Sequence, residues 1–188
     1  MRSLLLAGGK SSRMGRDKAL ILIDGETCIS RIVNALEMAD KTPIRISVSD
    51  TECMEIYNKS INPKIDVEWV LDSQKHAGPI ESIIENLRDP VCQKYDLVQL
   101  VTVDVPWVTG DFFTSLSDSI EDNDCLIMPT DGKKLHPLLS LIRPKIVLNK
   151  LIRGGTEPLY SQFSKLKHSL FLELPEVMKN LNHPEDLE

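Results

Sequence analysis

No Cys-x-x-C pair occurs in the sequence. Its four cysteines, Cys28, Cys53, Cys92 and Cys125, stand at wide intervals, which excludes the thiolate spacing of a zinc site or a dithiol redox motif and predicts reduced thiols. The four histidines, His76, His136, His168 and His183, lack ligand spacing too, so a metal is expected on carboxylates. There is no excess of positive charge. The formal net charge is -6, whereas a dedicated nucleic-acid binder needs a basic surface to displace counterions, so nucleic acid is not an expected partner. The apolar stretch near the N-terminus is short, and Arg13, Arg16, Asp17 and Lys18 follow at once. That reads as neither a signal peptide nor a membrane span, and predicts a cytoplasmic protein that does not engage a membrane. Repeats, low-complexity tracts and Gly/Pro/Ser-rich linkers are also missing. A chain of 188 residues, 41% of them hydrophobic, then predicts one domain over residues 1–188 with a sizeable core.

What is present is an alternation of short apolar, β-rich runs with segments of helical period, the pattern of βαβ units around a mostly parallel sheet. The predicted strands are Ser3–Ala7, Ile44–Ser49, Val67–Leu71, Leu97–Val103, Cys125–Met128, Leu138–Ile142 and Leu170–Leu174. Ile29, Ile32, Val33 and Leu36 form one apolar helical stripe, and a second helix opens at Pro79, where a missing N–H costs nothing. A third follows Thr109-Gly110-Asp111, and helical patterns at Pro144–Ile152 and Pro175–Asn180 complete the set. The fold class is α/β, a three-layer αβα Rossmann-like domain.

The first strand runs through Leu6 and Ala7 into Gly8-Gly9, followed by a loop that holds Lys10, Arg13, Arg16 and Lys18. Adjacent glycines let the backbone approach a ligand and turn successive N–H groups toward an anion, and the cations add charge, so the segment reads as a phosphate cradle. A tight turn with surface cations is the plainer reading. A P-loop is excluded because Leu4 stands where its first glycine belongs, and Gly8, Gly9 and Gly15 do not have dinucleotide-fingerprint spacing. Asp104 follows a buried-strand pattern, where open α/β sheets bind ligands, and a carboxylate there suits Mg²⁺ together with substrate phosphates. An aspartate after a strand also serves as a turn or N-cap residue. Asp72 follows another strand in the same way and leads to Gly78-Pro79.

Leu6-Ala7-Gly8-Gly9-Lys10-Ser11-Ser12-Arg13-Met14-Gly15-Arg16-Asp17-Lys18 resembles the L-A-G-G-x-S-x-R-M-G-x-D-K signature of the molybdenum cofactor guanylyltransferases. Further segments match in order. Asp72 to Gly78-Pro79 is similar to the family's aspartate and G-P-L-x-G segment, with Ser82 in place of the closing glycine. Asp104-Val105-Pro106 resembles its D-x-P magnesium motif, with Val103 in place of the usual preceding cysteine. Lys134 to Leu141, with His136-Pro137, resembles its H-P-L-x-A-L strand. Asn180-Leu181-Asn182-His183-Pro184-Glu185-Asp186-Leu187 resembles its N-x-N-T-P-E-D-L ending. Ser49 is the nearest equivalent of a nucleotide-holding asparagine.

The resemblance implies a nucleotide-diphospho-sugar-transferase-like fold and transfer of GMP from GTP to molybdopterin, bare or molybdenum-loaded, with release of pyrophosphate. It implies Mg²⁺ as cofactor on Asp104, Arg13 and Lys18 on the triphosphate, and a nucleotide site of Leu6, Ala7, Gly8, Gly9, Lys18, Ser49, Asp72, Gly78, Pro79 and Asp104. His136, Asn180 and Asn182 would face the acceptor. His136 also suits an ordinary turn. Transient contact with proteins that deliver or receive the cofactor belongs to the same picture. Alternatives are CTP as donor, cobinamide phosphate as acceptor, or a nucleotide sensor without turnover.

Overall fold

The computed structural model describes residues 2–8, 17–73 and 78–187. In β1 (Arg2–Leu6) successive side chains point to opposite faces, and Leu4, Leu5 and Leu6 are all buried. A strand apolar on both faces belongs between two layers of helices. β1 accordingly lies inside a seven-stranded sheet with β4 (Ile44–Val48), β5 (Val67–Leu71), β6 (Val98–Thr102), β7 (Leu126–Thr130), β8 (Leu141–Ile142) and β9 (His168–Leu172), in the order β5-β4-β1-β6-β8-β7-β9. β5, β4, β1 and β6 run parallel, β8 is antiparallel to both of its neighbours, and β9 is parallel to β7. A small hairpin, β2 (Leu22–Ile23) with β3 (Glu26–Thr27), stands apart from it.

Leu5, Ile46 and Val101 share one apolar cluster with side chains of α1 (Cys28–Met38), α2 (Thr51–Asn58) and α4 (Gly110–Asp118). Leu4, Leu6 and Leu100 share a second with α3 (Pro79–Arg88), α5 (Pro144–Arg153) and α6 (Leu159–Ser164). Each fully buried leucine of this kind stabilises the fold by about 1.5–3 kcal/mol. Thr27, Asp50 and Thr109 cap α1, α2 and α4 by accepting backbone N–H bonds from Ser30, Cys53 and Phe112. No helix among the described residues is long and apolar enough to cross a membrane. The expected α/β, three-layer architecture around a mostly parallel sheet is what forms.

Several expected elements change. The strand expected over 138–142 is a 3-10 turn at Pro137–Leu139 followed by the two residues of β8, because Pro137 fixes φ and opens a helical turn better than a strand. The helix expected over 175–180 is a turn, since it carries no repeating apolar stripe to dock. β7 continues past Met128 through Pro129 to Thr130. Pro129 O accepts from His136 N, so the proline nitrogen points to the same side, beyond the end of β8, where no ladder bond is lost. α2 and α6 were not foreseen. In α2 the inward Met54 and Tyr57 are interrupted by an exposed Ile56, and α6 is only six residues long.

Candidate active site

β1 lies between β4 and β6, so chain connections leave it in both directions, and the crevice at the carboxyl ends of β1 and β6 is the switch point where open α/β sheets take ligands. A cavity of about 370 Å³ opens there, between Leu6, Ala7 and Gly8 on one side and Thr102, Val103 and Asp104 on the other, with Gly78 and Pro79 at its rim. A second cavity of about 190 Å³ adjoins it, shares Thr102, Asp104 and Leu138, and reaches His136 and Asn180.

Lys18 reaches the aspartate that both cavities share. Its Nζ donates to Asp104 Oδ1 at 3.2 Å and to Asn182 Oδ1 at 3.0 Å. Asp17 sets its position: one oxygen caps the 3-10 turn at Lys18–Leu20 through Ala19 N, and the other accepts from the Tyr57 hydroxyl at 2.5 Å. Burial first, and the Asp17 carboxylate second, raise the pKa of the Tyr57 phenol well above its ordinary value, so it remains a donor. The C-terminal segment is pinned by Leu181 N, which donates to Asp104 O at 2.7 Å, and by Asp186, which accepts from Asn182 N and His183 N.

Among the described residues no three His, Cys, Asp or Glu side chains form a metal cage. Asp104, with its side chain 39% exposed and its Oδ1 accepting from Lys18, supplies a single carboxylate. That fits Mg²⁺, which takes one or two carboxylates and completes its shell with water and substrate phosphates.

Asp72 lies at the end of β5 and is held by hydroxyls on both sides. Ser47 and Ser82 both donate to Oδ1, the latter at 2.9 Å, and Asn86 Nδ2 supports Ser47 Oγ at 3.2 Å. Gly78 has φ 111°, a conformation that favours glycine, and hands the chain to Pro79 at the start of α3. His136 is nearly buried, with Nε2 3.5 Å from Asp131 Oδ2. The N–H groups of Lys134 and Lys133, and then His136, hold the Asp131 carboxyl below the usual range.

A family model described as a MobA-like NTP transferase domain matches residues 3–161. The chain belongs to that family. It is similar to a molybdenum cofactor guanylyltransferase of Vibrio atlanticus (strain LGP32), 23% identical over 189 residues, covering 98% of this chain and 92% of that one. Its fold is similar to that of molybdopterin-guanine dinucleotide biosynthesis protein A from Archaeoglobus fulgidus, with a TM-score of 0.72 and 19% identity over 100% of this chain and 95% of that one. It is also similar to a Mycobacterium tuberculosis H37Rv protein crystallised in complex with manganese, TM-score 0.70 and 13% identity over 98% and 94% of the two chains. The chain is thus a nucleotidyltransferase of the MobA-like family.

Within this MobA-like chain the expected site residues divide. Leu6, Ala7, Gly8, Gly78, Pro79 and Asp104 line the larger cavity, His136 and Asn180 line the smaller, and Lys18 and Asn182 meet beside them. Gly9 and Arg13 lie outside the described residues. Ser49 and Asp72 line neither cavity but back the larger one through Gly8. Three residues around Asp72 were missed. Ser47 sits in an apolar strand and Asn86 on the buried stripe of α3 beside Ile83 and Leu87, and a polar residue in such a place was the available signal. In the sequence Ser82 stands out only as a replacement for glycine.

Proposed function

We propose that this protein transfers GMP from GTP to the terminal phosphate of molybdopterin, bare or molybdenum-loaded, in the cytoplasm, with Mg²⁺ as cofactor. One observation carries the reading: Lys18 Nζ lies 3.2 Å from Asp104, which lines both adjoining cavities, and 3.0 Å from Asn182. The larger cavity, backed by Asp72, would hold the nucleotide, and the smaller, with His136 and Asn180, the acceptor. The similar Vibrio guanylyltransferase favours this donor and acceptor among those the family serves.

In the reaction an acceptor phosphate oxygen forms a bond to the α-phosphorus while the bond from that phosphorus to the bridging oxygen breaks, and pyrophosphate leaves. No protein nucleophile is required, so the chain's task is to position two anions and offset their charge. Lys18 is aimed at the triphosphate and acquires its strongest partner as charge builds on the leaving pyrophosphate. Arg13 adds a second cation. Asp104 would hold Mg²⁺, which supplies further charge neutralisation when bound, and the manganese complex of the similar M. tuberculosis protein supports a divalent ion in this fold. Gly8 brings main chain close to the nucleotide, and Asn182 keeps the Lys18 ammonium directed inward. Proteins that deliver or receive the cofactor would make transient contact at the mouth of the smaller cavity.

The test incubates purified protein with Mg²⁺, α-labelled GTP and molybdopterin, with and without molybdenum. Labelled dinucleotide and pyrophosphate are expected, and chelation of divalent metal should stop both. Equal labelling from CTP would overturn the base assignment. Tight GTP binding without product from any triphosphate would support a sensor instead.

A further inference from the structure

β9 ends the sheet, so among the described residues one of its hydrogen-bonding edges has no strand beside it. The register with β7 fixes which residues face that edge. Lys167 O accepts from Cys125 N at 2.8 Å and Glu173 N donates to Thr130 O at 3.0 Å. Odd-numbered residues from 167 to 173 therefore direct their N–H and C=O groups at β7, and His168, Leu170 and Leu172 direct theirs outward. Among the described residues no turn, loop or cap backbone group bonds to those outward groups. Side chains on this strand are also uncovered: Leu170 is 55% and Leu172 71% exposed, with Leu174 just beyond at 64%.

Edge strands are normally protected by a charge, a proline or a covering element. β5, at the other end of the sheet, carries Glu68 in mid-strand, met by Arg2 and Arg45. β9, His168–Leu172, contains no Asp, Glu, Lys, Arg or Pro. Charges stand only just outside it, Lys167 before and Glu173 after, at equal distances from Leu170.

We propose that β9 pairs antiparallel with β9 of a second copy of this chain, about a two-fold axis at Leu170, so that one sheet runs through both copies. In this register Leu170 faces its own symmetry mate and His168 faces Leu172, which places all the outward N–H and C=O groups in hydrogen-bonded pairs. Lys167 faces Glu173 in non-hydrogen-bonded pairs, where side chains approach most closely, and symmetry makes that ion pair twice. The axis is perpendicular to the sheet, so Leu170 and Leu172 of both copies gather on one face and cover one another. The strand is complementary to itself in hydrogen bonding, charge and apolar surface together, which selects a second copy over an unrelated partner.

Light scattering or sedimentation of the full chain across a concentration range tests this. The expected species has twice the 21.2 kDa chain mass. Leu170→Lys places two ammonium groups on the axis and should give monomer throughout, with an unchanged circular dichroism spectrum. Lys167→Glu and Glu173→Lys should each weaken association by roughly tenfold. The double reversal Lys167→Glu with Glu173→Lys should restore it, which no loss of folding could do. A wild-type monomer at every concentration, a dimer indifferent to Leu170→Lys, or a double reversal no tighter than either single change would each overturn the proposal.

Discussion

A Cβ placed on Gly8 would stand 2.6 Å from Oδ2 of Asp72. The carboxylate has little freedom to retreat, because Ser47 and Ser82 both hold its other oxygen. Gly8→Ala is therefore expected to destabilise the fold by about 1–3 kcal/mol, as overpacking does, and to weaken triphosphate binding. Thermal melts and nucleotide titrations measure both. In an Asp72→Ala background the same alanine should cost much less, and an equal cost in the two backgrounds would sink the steric explanation.

Lys18→Ala is expected to lower kcat by about 10²–10³, or about 2.7–4 kcal/mol, if its ammonium acts as a preorganised electrostatic contact. Asn182→Ala removes only the amide that directs Lys18, so a smaller loss of roughly tenfold is expected. Single-turnover rates at saturating triphosphate distinguish the two. Lys18→Ala with near-normal turnover would remove this residue from the chemistry.

Much of this is legible in the sequence. The β1 run Leu4-Leu5-Leu6 and the Ile29, Ile32, Val33, Leu36 stripe determine layers directly, because their periods match a two-sided strand and a one-sided helix. Asp104 was legible as the polar residue ending an apolar strand. The environment of Asp72 was not, because Ser47 lies on β4 while Ser82 and Asn86 stand one turn apart on α3, and the three meet at Asp72 only once that strand and helix pack. Pro129 misled for the opposite reason: proline ordinarily ends a strand, and only the early end of β8 removes the penalty.

Tyr57→Phe removes the donor to Asp17 and should destabilise the protein by about 1.5–3 kcal/mol, the usual range for a bond to a charged group. Ultraviolet difference absorbance supplies a second reading. Tyr57 should stay protonated through the pH range in which an ordinary phenol ionises, and its titration should coincide with alkaline unfolding. Early ionisation of all three tyrosines of the chain in the folded state would contradict the buried bond.

The acid limb of stability should depend on Asp89. The Val91 N–H, first, and the Arg45 guanidinium hold its carboxyl below the ordinary value of an unfolded aspartate. A depressed folded pKa means that its contribution is present above that unfolded value and is lost as pH falls through the folded one. Melting temperatures of wild type and Asp89→Asn should differ at neutral pH, begin to approach as pH falls below about 4, and converge only below the depressed folded pKa. A constant gap across the whole range would show that Asp89 contributes through packing.

Lys18, Asp104 and Asn182 are separated by 86 and 78 positions, yet form one cluster through bonds of 3.2 and 3.0 Å. Leu181 N, bonded to the carbonyl of Asp104, holds the last of these partners in place. During synthesis from the N-terminus, every strand of the sheet emerges before residue 182 does. The partner that orients Lys18 therefore lies downstream of every strand, so a chain cut after Leu172 would keep each strand of the sheet and lose that amide.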